Sequence, residues 1–286
     1  MKLYSPKVIN EIKENYGFKL SKSLGQNFLT DKNIIDKIVD SPDICEDDLV
    51  IEIGPGIGVI TAEAAQRAGK VIAVEIDKNL IPILGDTLGE FDNVEVINQD
   101  VLKTDINEII EKNGYKTAKI IGNLPYYITT PIIMYLLEGG VHAESITIMM
   151  QKEVADRIKA KPGGKTYGAI SVAVQYYCDV ETVTNVPKEV FVPAPKVDST
   201  VLKLNIRKEK PVELTDEKLF FRCIKAGFGQ RRKTLLNSLT GLGDVTKDEI
   251  RQCLEKLGIE EKRRAETLSI EEFAMIANEF DSMSKR

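Results

Sequence analysis

The 286-residue chain holds one histidine, four cysteines and no uninterrupted apolar run of membrane-spanning length, and each shortage removes a class of function. A spanning helix needs about 18 or more apolar residues, and none occurs. The opening stretch, MKLYSPKVINEIKENYGF, has no apolar segment of signal-peptide length followed by a cleavage site, so a cytosolic protein without a membrane partner is expected. Cys45, Cys178, Cys223 and Cys253 stand far apart with no C-x-x-C pair, which implies neither a zinc site nor a disulfide framework. Cysteine-protease chemistry needs a histidine base and serine hydrolysis usually does too, and His142, in a Gly-Gly-Val-His turn, reads as an exposed loop residue. No metal is expected.

Net charge is −5, which alone argues against a nucleic-acid partner. The distribution reverses that. Residues 31–149 carry 9 Lys and Arg against 21 Asp and Glu, whereas residues 218–243 carry 6 against none. Residues 1–30 and 151–165 each add 5 against 2. If these three segments meet, they form one electropositive face, although any single basic run is more often a solvated helix face.

Helical periodicity alternates with short β-rich runs from about residue 30 to 205: LVIEIG (49–54), KVIAVEI (70–76), VEVINQD (94–100), KIIGNL (119–124) and SITIMMQ (145–151). This pattern predicts an α/β fold, a Rossmann-like parallel sheet covered by helices. Two later runs, AISVAVQYY (169–177) and STVLKLNI (199–206), lack a helix-length segment between them and are expected to pair antiparallel at one sheet edge. After Pro211 the signals become helical: Thr215 before DEKLFF, Thr246 with Glu249, Ser269 with Glu272, and a stop at Gly258. Three regions are expected: an N-terminal basic arm (1–30), a cofactor-binding domain (31–209) and, past the charged RKEKP stretch (207–211), a small all-helical C-terminal domain (210–286).

The first strand runs into Gly54-Pro55-Gly56-Ile57-Gly58 and then a helix, the geometry of a nucleotide-like cofactor site. A dinucleotide fingerprint would need glycine where Val59 stands, so the loop suits an uncharged ribose and an amino-acid tail better than a pyrophosphate. S-adenosylmethionine has both. Glu75, about 20 residues on at the second strand's end, has the spacing to accept the ribose hydroxyls, and Asp100, at the end of the third, could accept the cofactor's adenine amine. A lone acid at a strand end is more often solvated; three coincident features make the cofactor reading the stronger one.

The fourth strand ends in Asn123-Leu124-Pro125-Tyr126, which resembles the loop of methyltransferases that act on a planar NH₂ group. An adenine amine is a poor nucleophile because its lone pair is delocalised into the ring. The Asn123 side-chain oxygen and the Pro125 carbonyl are expected to accept its two N–H bonds, aim the lone pair at the methyl group and stabilise the positive charge that develops on nitrogen. Tyr126 is expected to stack on the base. Because extruding a base costs a few kcal/mol and one platform returns about 1 to 3, a second ring is useful.

Ser23-Leu24-Gly25-Gln26-Asn27-Phe28-Leu29, Glu52-Ile53-Gly54-Pro55-Gly56, Asn123-Leu124-Pro125-Tyr126 and Phe191-Val192-Pro193-Ala194-Pro195-Lys196-Val197-Asp198-Ser199 together resemble the ribosomal RNA adenine N6,N6-dimethyltransferases, in order and spacing, over nearly the whole chain. The resemblance implies S-adenosylmethionine contacts from Asn27, Leu29, Gly54, Glu75, Asp100 and Asn123, with Gly56 in the same loop. It favours Phe191 as the second platform, a lid over the pocket mouth, although such a phenylalanine is more often core. It looks closest to the branch that dimethylates two adjacent adenosines in a hairpin loop near the 3′ end of 16S ribosomal RNA in the small subunit, with a role in subunit biogenesis. In the helical tail Arg222, Lys225, Arg231, Arg232 and Lys233, interleaved with Phe228, are candidates to grip RNA phosphates. A monomer is expected. The rivals are the branch that dimethylates large-subunit ribosomal RNA and confers antibiotic resistance, an assembly factor whose binding outweighs its catalysis, and, ranked low, a DNA adenine methyltransferase.

Overall fold

The computed structural model describes residues 2–18 and 25–285. Ser23 and Leu24 of the first motif, and Lys19 and Lys22 of the basic arm, lie outside the described residues. The chain divides into two compact units, Met1–Ala155 with Asp179–Ile206, and Asp156–Cys178 with Arg207–Arg286. The division at 206/207 falls near the expected linker. The expected boundaries are corrected in one respect: the stretch 156–178, assigned from sequence to the cofactor-binding domain, groups with the C-terminal helices.

The first unit contains α1 (Pro6–Asn15), β1 (Phe28–Leu29), α2 (Lys32–Asp40), β2 (Leu49–Ile53), α3 (Val59–Ala65), β3 (Lys70–Glu75), α4 (Ile81–Thr87), β4 (Val94–Asn98), α5 (Ile106–Lys112), β5 (Ala118–Asn123), α6 (Thr129–Glu138) and β6 (Ala143–Gln151). All five long strands among these match β-rich runs of the sequence. α7 (Lys152–Ile158) crosses the division and α8 (Ala169–Tyr177) belongs to the second unit; the chain then returns to the first through β7 (Cys178–Val186), β8 (Phe191–Val192) and β9 (Ser199–Ile206).

Seven strands form one sheet in the order β4-β3-β2-β5-β6-β9-β7. β2 pairs in parallel with both β3 and β5, and β6 pairs antiparallel with β9. Every residue of β2 is buried, as both faces of a central parallel strand require. Strand order reverses between β2 and β5, and this switch point opens a crevice at the carboxyl ends of the strands. Ile34, Ile35, Ile38 and Val39 of α2, whose start is capped by the Asp31 side chain accepting from the Asn33 and Ile34 amides, join the core beside it.

The second unit adds α9 (Glu217–Gly229), α10 (Leu235–Ser238), α11 (Lys247–Lys256) and α12 (Ile270–Ser284). Both expected capping boxes form, Thr246 with Glu249 and Ser269 with Glu272, whereas α9 is capped by Asp216 rather than Thr215. Gly258 follows α11 with φ +69°. The AISVAVQYY run is corrected: it is the helix α8, and the strand at the sheet edge is β7, which carries the exposed acids Asp179 and Glu181. A short apolar run is ambiguous between the two conformations, and packing decides. Tyr176 meets Phe220 and Phe221 at 5.2 and 5.6 Å between ring centroids, and Tyr177 stacks on Phe221 at 5.7 Å. Both tyrosine hydroxyls donate to Glu217, at 3.0 and 2.6 Å, so the helix is clamped to α9 by rings and polar tips together.

Candidate active site

A cavity of about 1080 Å³, counted to its open mouth, lies at the switch point. Its lining includes Asn27, Leu29, Gly54, Gly56, Glu75, Asp100, Asn123, Pro125 and Tyr126, so the cofactor loop and the Asn-Leu-Pro-Tyr loop face one space. The turn after β2 is built on left-handed backbone: Gly54, Gly56 and Gly58 have φ of +70°, +61° and +86°. An added Cβ at 58 would also lie 2.9 Å from the Leu88 side chain, so the turn packs closely there and glycine suits it on both counts. Nothing lies within 4 Å of the corresponding position at Gly54, which leaves the backbone accessible from the cavity.

Glu75 is 4 % exposed. Its Oε1 accepts from the Asp77 amide at 2.7 Å, and the Gly56 and Ile76 amides stand close enough to favour the charged form as well. Burial nevertheless pushes it up to about 7, since among these partners there is no cation. Glu52, 1 % exposed and also in the lining, accepts from the Thr61 hydroxyl at 2.5 Å and is driven to about 8, first by burial and further by the neighbouring Glu75. A pair of buried carboxyls with hydroxyl and amide partners alone suits a ligand that brings ribose hydroxyls and positive charge. Asp100 caps the turn Val101–Lys103 through the Leu102 amide at 3.1 Å, so it is fixed at the cavity wall. The residues present therefore fit S-adenosylmethionine.

Asn123, at the end of β5, donates its side-chain amide to the Asn27 carbonyl at 3.1 Å. The N-terminal segment is held in turn by β1–β8 pairing, Phe28 opposite Val192 and Leu29 opposite Phe191, and by Gln26, whose amide reaches Asp77 at 2.8 Å. Tyr126 is half-buried with its hydroxyl 2.8 Å from Ser199 Oγ, and burial raises its phenol above the ordinary value. The Pro125 carbonyl accepts from the Ile128 amide at 3.1 Å and the Thr129 hydroxyl at 3.0 Å.

Phe191 is corrected. It is 3 % exposed, is absent from the cavity lining, and packs in the core with Phe28 and Leu29. Its pairing with Leu29 through β8 and β1 turns the ring inward, a contact between positions far apart in the chain that motif spacing cannot reveal. The lining also holds residues that the sequence did not assign to the site, among them Glu52, Tyr127 and Ile76, the last an exposed apolar side chain directly after Glu75. The adjacent tyrosines at 126 and 127 were the one visible signal.

Within the second unit, Arg222 is tied to the Leu242 carbonyl (3.0 Å) and Asp244 (2.6 Å), and Arg231 donates to the carbonyls of Lys165 (2.6 Å) and Tyr167 (3.4 Å). Arg231 thereby brings two of the three basic segments together. Lys225, Arg232 and Lys233 are exposed, with no side-chain hydrogen bond or ion pair among the described residues. Phe228 packs against Tyr167 and Phe273 instead of standing free between them. Among the described residues no helix is long and apolar enough to cross a membrane, and no group of three or more His, Cys, Asp or Glu is placed to hold a metal.

Residues 17–282 match the family described as Ribosomal RNA adenine dimethylase. A protein named Ribosomal RNA small subunit methyltransferase A from Clostridioides difficile is 55 % identical over 97 % of this chain and 96 % of its own, and one of the same name from Alkaliphilus metalliredigens is 54 % identical over 97 % and 98 %. Among solved structures, a dimethyladenosine transferase from Plasmodium falciparum superposes with a TM-score of 0.77 at 26 % identity, covering 90 % of this chain and 98 % of that one. The 23S rRNA methyltransferase ErmE gives 0.68 at 26 %, covering 88 % and 99 %. With its glycine turn, buried Glu75 and Asn-Leu-Pro-Tyr loop opening on one cavity, the chain belongs to the ribosomal RNA adenine dimethylase family of S-adenosylmethionine-dependent methyltransferases.

Proposed function

We propose that the protein dimethylates the N6 amines of two adjacent adenosines in the 3′-terminal hairpin loop of 16S ribosomal RNA in the small subunit, and so takes part in subunit biogenesis. The observation that carries the chemistry is the bond from Asn123 to Asn27: with its NH₂ engaged, the Asn123 oxygen is the atom left to accept from a substrate amine. Bound S-adenosylmethionine supplies a sulfonium methyl group. Asn123 holds the adenine amine so that its lone pair leaves the ring plane, and the same oxygen stabilises the positive charge that nitrogen gains.

The second acceptor is assigned one residue earlier than sequence suggested. The Pro125 carbonyl already accepts two hydrogen bonds, whereas the Leu124 carbonyl has no partner among the described residues. Tyr126, its hydroxyl anchored on Ser199, offers the stacking face. Glu75 takes the ribose, Asp100 the cofactor's adenine amine, Ile76 an apolar face of that ring, and Asn27, Leu29, Gly54 and Gly56 close the pocket. Lys225, Arg232 and Lys233 grip phosphates, with Arg222 and Arg231 chiefly organising the surface. The protein acts in the cytosol, where ribosomal RNA is found, as a monomer, since one chain supplies both the cavity and the basic strip.

Identity favours the small subunit: three relatives bearing that name are 50 to 55 % identical to this chain, against 26 % for ErmE. The test is incubation with S-adenosylmethionine and either undermethylated small subunits or naked large-subunit RNA, followed by mass spectrometry of nucleoside digests. N6,N6-dimethyladenosine is expected in the small subunit alone; product only in the large-subunit RNA would reverse the assignment.

A further inference from the structure

We propose that Tyr127 is a stacking platform for the nucleobase beside the one being methylated, so that two neighbouring adenosines are held together, one inside the cavity and one on its rim. The inference rests on the proposed reaction at adjacent adenosines and adds to it a residue that selects for the pair.

Among the described residues three aromatic rings line the cavity: Phe28, Tyr126 and Tyr127. Phe28 is buried, and its ring lies 3.1 Å from where a Cβ on Gly56 would sit, so it supports the cofactor loop from below. Tyr126 is half-buried and held by Ser199. Tyr127, the next residue, is 60 % exposed although it lines the same cavity. Single exposed aromatic residues are ordinary on protein surfaces, so exposure alone decides nothing. Position decides. Tyr127 sits in the turn that leads from the Asn-Leu-Pro-Tyr loop into α6, with Ile128 half-buried and Thr129 buried behind it. One edge of its ring, Cδ1, lies 3.8 Å from where a Cβ on Gly25 would sit, beside Pro125 at 3.3 Å. The ring is thus seated at the rim against a residue with no side chain, and most of its surface remains open.

Energetics supply the reason for such a ring. Drawing one base into the cavity unstacks its neighbour as well, a cost of a few kcal/mol, and a single aromatic platform returns about 1 to 3. Tyr126 serves the base that enters, whereas the face that its neighbour loses stays bare, and Tyr127 is the ring of the described lining that stands open to solvent. Stacking uses the face of a base and not its amine, so the rim accepts adenosine before reaction and dimethyladenosine after it. The same seat then serves while either member of the pair is in the cavity.

The test is a double-substitution cycle read as binding. Wild type, Y127A and Y127W are titrated with a hairpin RNA carrying the two adjacent adenosines, and with the same hairpin in which the neighbouring nucleotide is abasic. Loss of the ring should weaken wild-type affinity for the intact hairpin by about 5- to 150-fold, the range that 1 to 3 kcal/mol converts to. Y127W should retain affinity. The abasic change should weaken binding to wild type by a similar factor and leave Y127A nearly unaffected. Equal weakening of wild type and Y127A by the abasic change, or none in either, overturns the proposal. So does a Y127A protein whose S-adenosylmethionine affinity falls while RNA binding stays, because the ring would then cap the cofactor. Dimethyladenosine formed by wild type on small subunits upholds the proposed reaction whichever way the cycle falls, so the two readings fail separately.

Discussion

The side-chain amide of Asn123 donates to the backbone carbonyl of Asn27, 96 residues earlier in the chain, at 3.1 Å. This bond fixes which end of the Asn123 side chain faces the cavity, and it is made by a segment outside the seven-stranded sheet. The Asn-Leu-Pro-Tyr loop is therefore oriented in part by the N-terminal arm. In the proposed reaction, replacing Asn123 by alanine removes the acceptor that stabilises the developing charge, and kcat should fall by about 10²- to 10³-fold. Single-turnover methylation of small subunits measures this. Cofactor and RNA dissociation constants should move far less, and a loss confined to binding would remove Asn123 from the chemical step.

Glu75 titrates near 7 because it is buried, so its charge is incomplete at neutral pH. The ionised carboxylate is the better acceptor for ribose hydroxyls and the form a cationic ligand favours. Affinity for S-adenosylmethionine should therefore strengthen as pH rises from 6 to 8. Calorimetric titration of wild type beside E75Q isolates the effect, since the ligand's own amino group titrates against both proteins. The ratio of the two affinities should widen with pH; a constant ratio would show that Glu75 does not set it.

Glu52 offers a stability test with a definite sign. Its folded value, about 8, lies above the 4.5 of an unperturbed carboxyl, so the folded state holds the proton more tightly than the unfolded chain. The resulting stabilisation is complete below about pH 4.5 and is lost as pH rises through 8. A tenfold difference in proton affinity between the two states corresponds to about 1.4 kcal/mol. Glutamine keeps an acceptor for Thr61 and has no charge to bury. E52Q should match wild type near pH 4 and exceed it in denaturant midpoint at pH 8 to 9. Parallel curves for the two proteins would mean that Glu52 does not titrate in this window.

The basic strip divides into tied and untied residues, and salt dependence can tell them apart. Substituting Lys225, Arg232 or Lys233 by alanine should each lower the slope of log affinity against log salt by about 0.7 to 0.9. R222A and R231A should cost more in thermal stability than in slope, because their guanidinium groups hold Asp244 and the Lys165 and Tyr167 carbonyls. Equal slopes for all five variants would count against this division.

Much of this protein was legible in the chain itself. β2, β3, β5 and β6 follow β-rich runs because buried strands need continuous Val and Ile, and the edge strand β4 and the antiparallel β9 follow runs of alternating β-branched residues, with turns marked by Gly, Pro or Asn. The capping boxes at Thr246 and Ser269 are local by nature and form as their spacing predicts. Glu75, Asp100 and Asn123 could be placed because a parallel sheet carries successive strand ends to one edge. What only the tertiary structure decided depends on partners far away in sequence. AISVAVQYY is a helix because Phe220, Phe221 and Glu217 receive its tyrosines. Phe191 is core because Leu29 pairs with it, and Tyr127 stands at the rim because Gly25 lies beneath its edge. Periodicity encodes which face of an element is apolar; it does not encode what that face will meet, and free energy at these positions is set by the meeting.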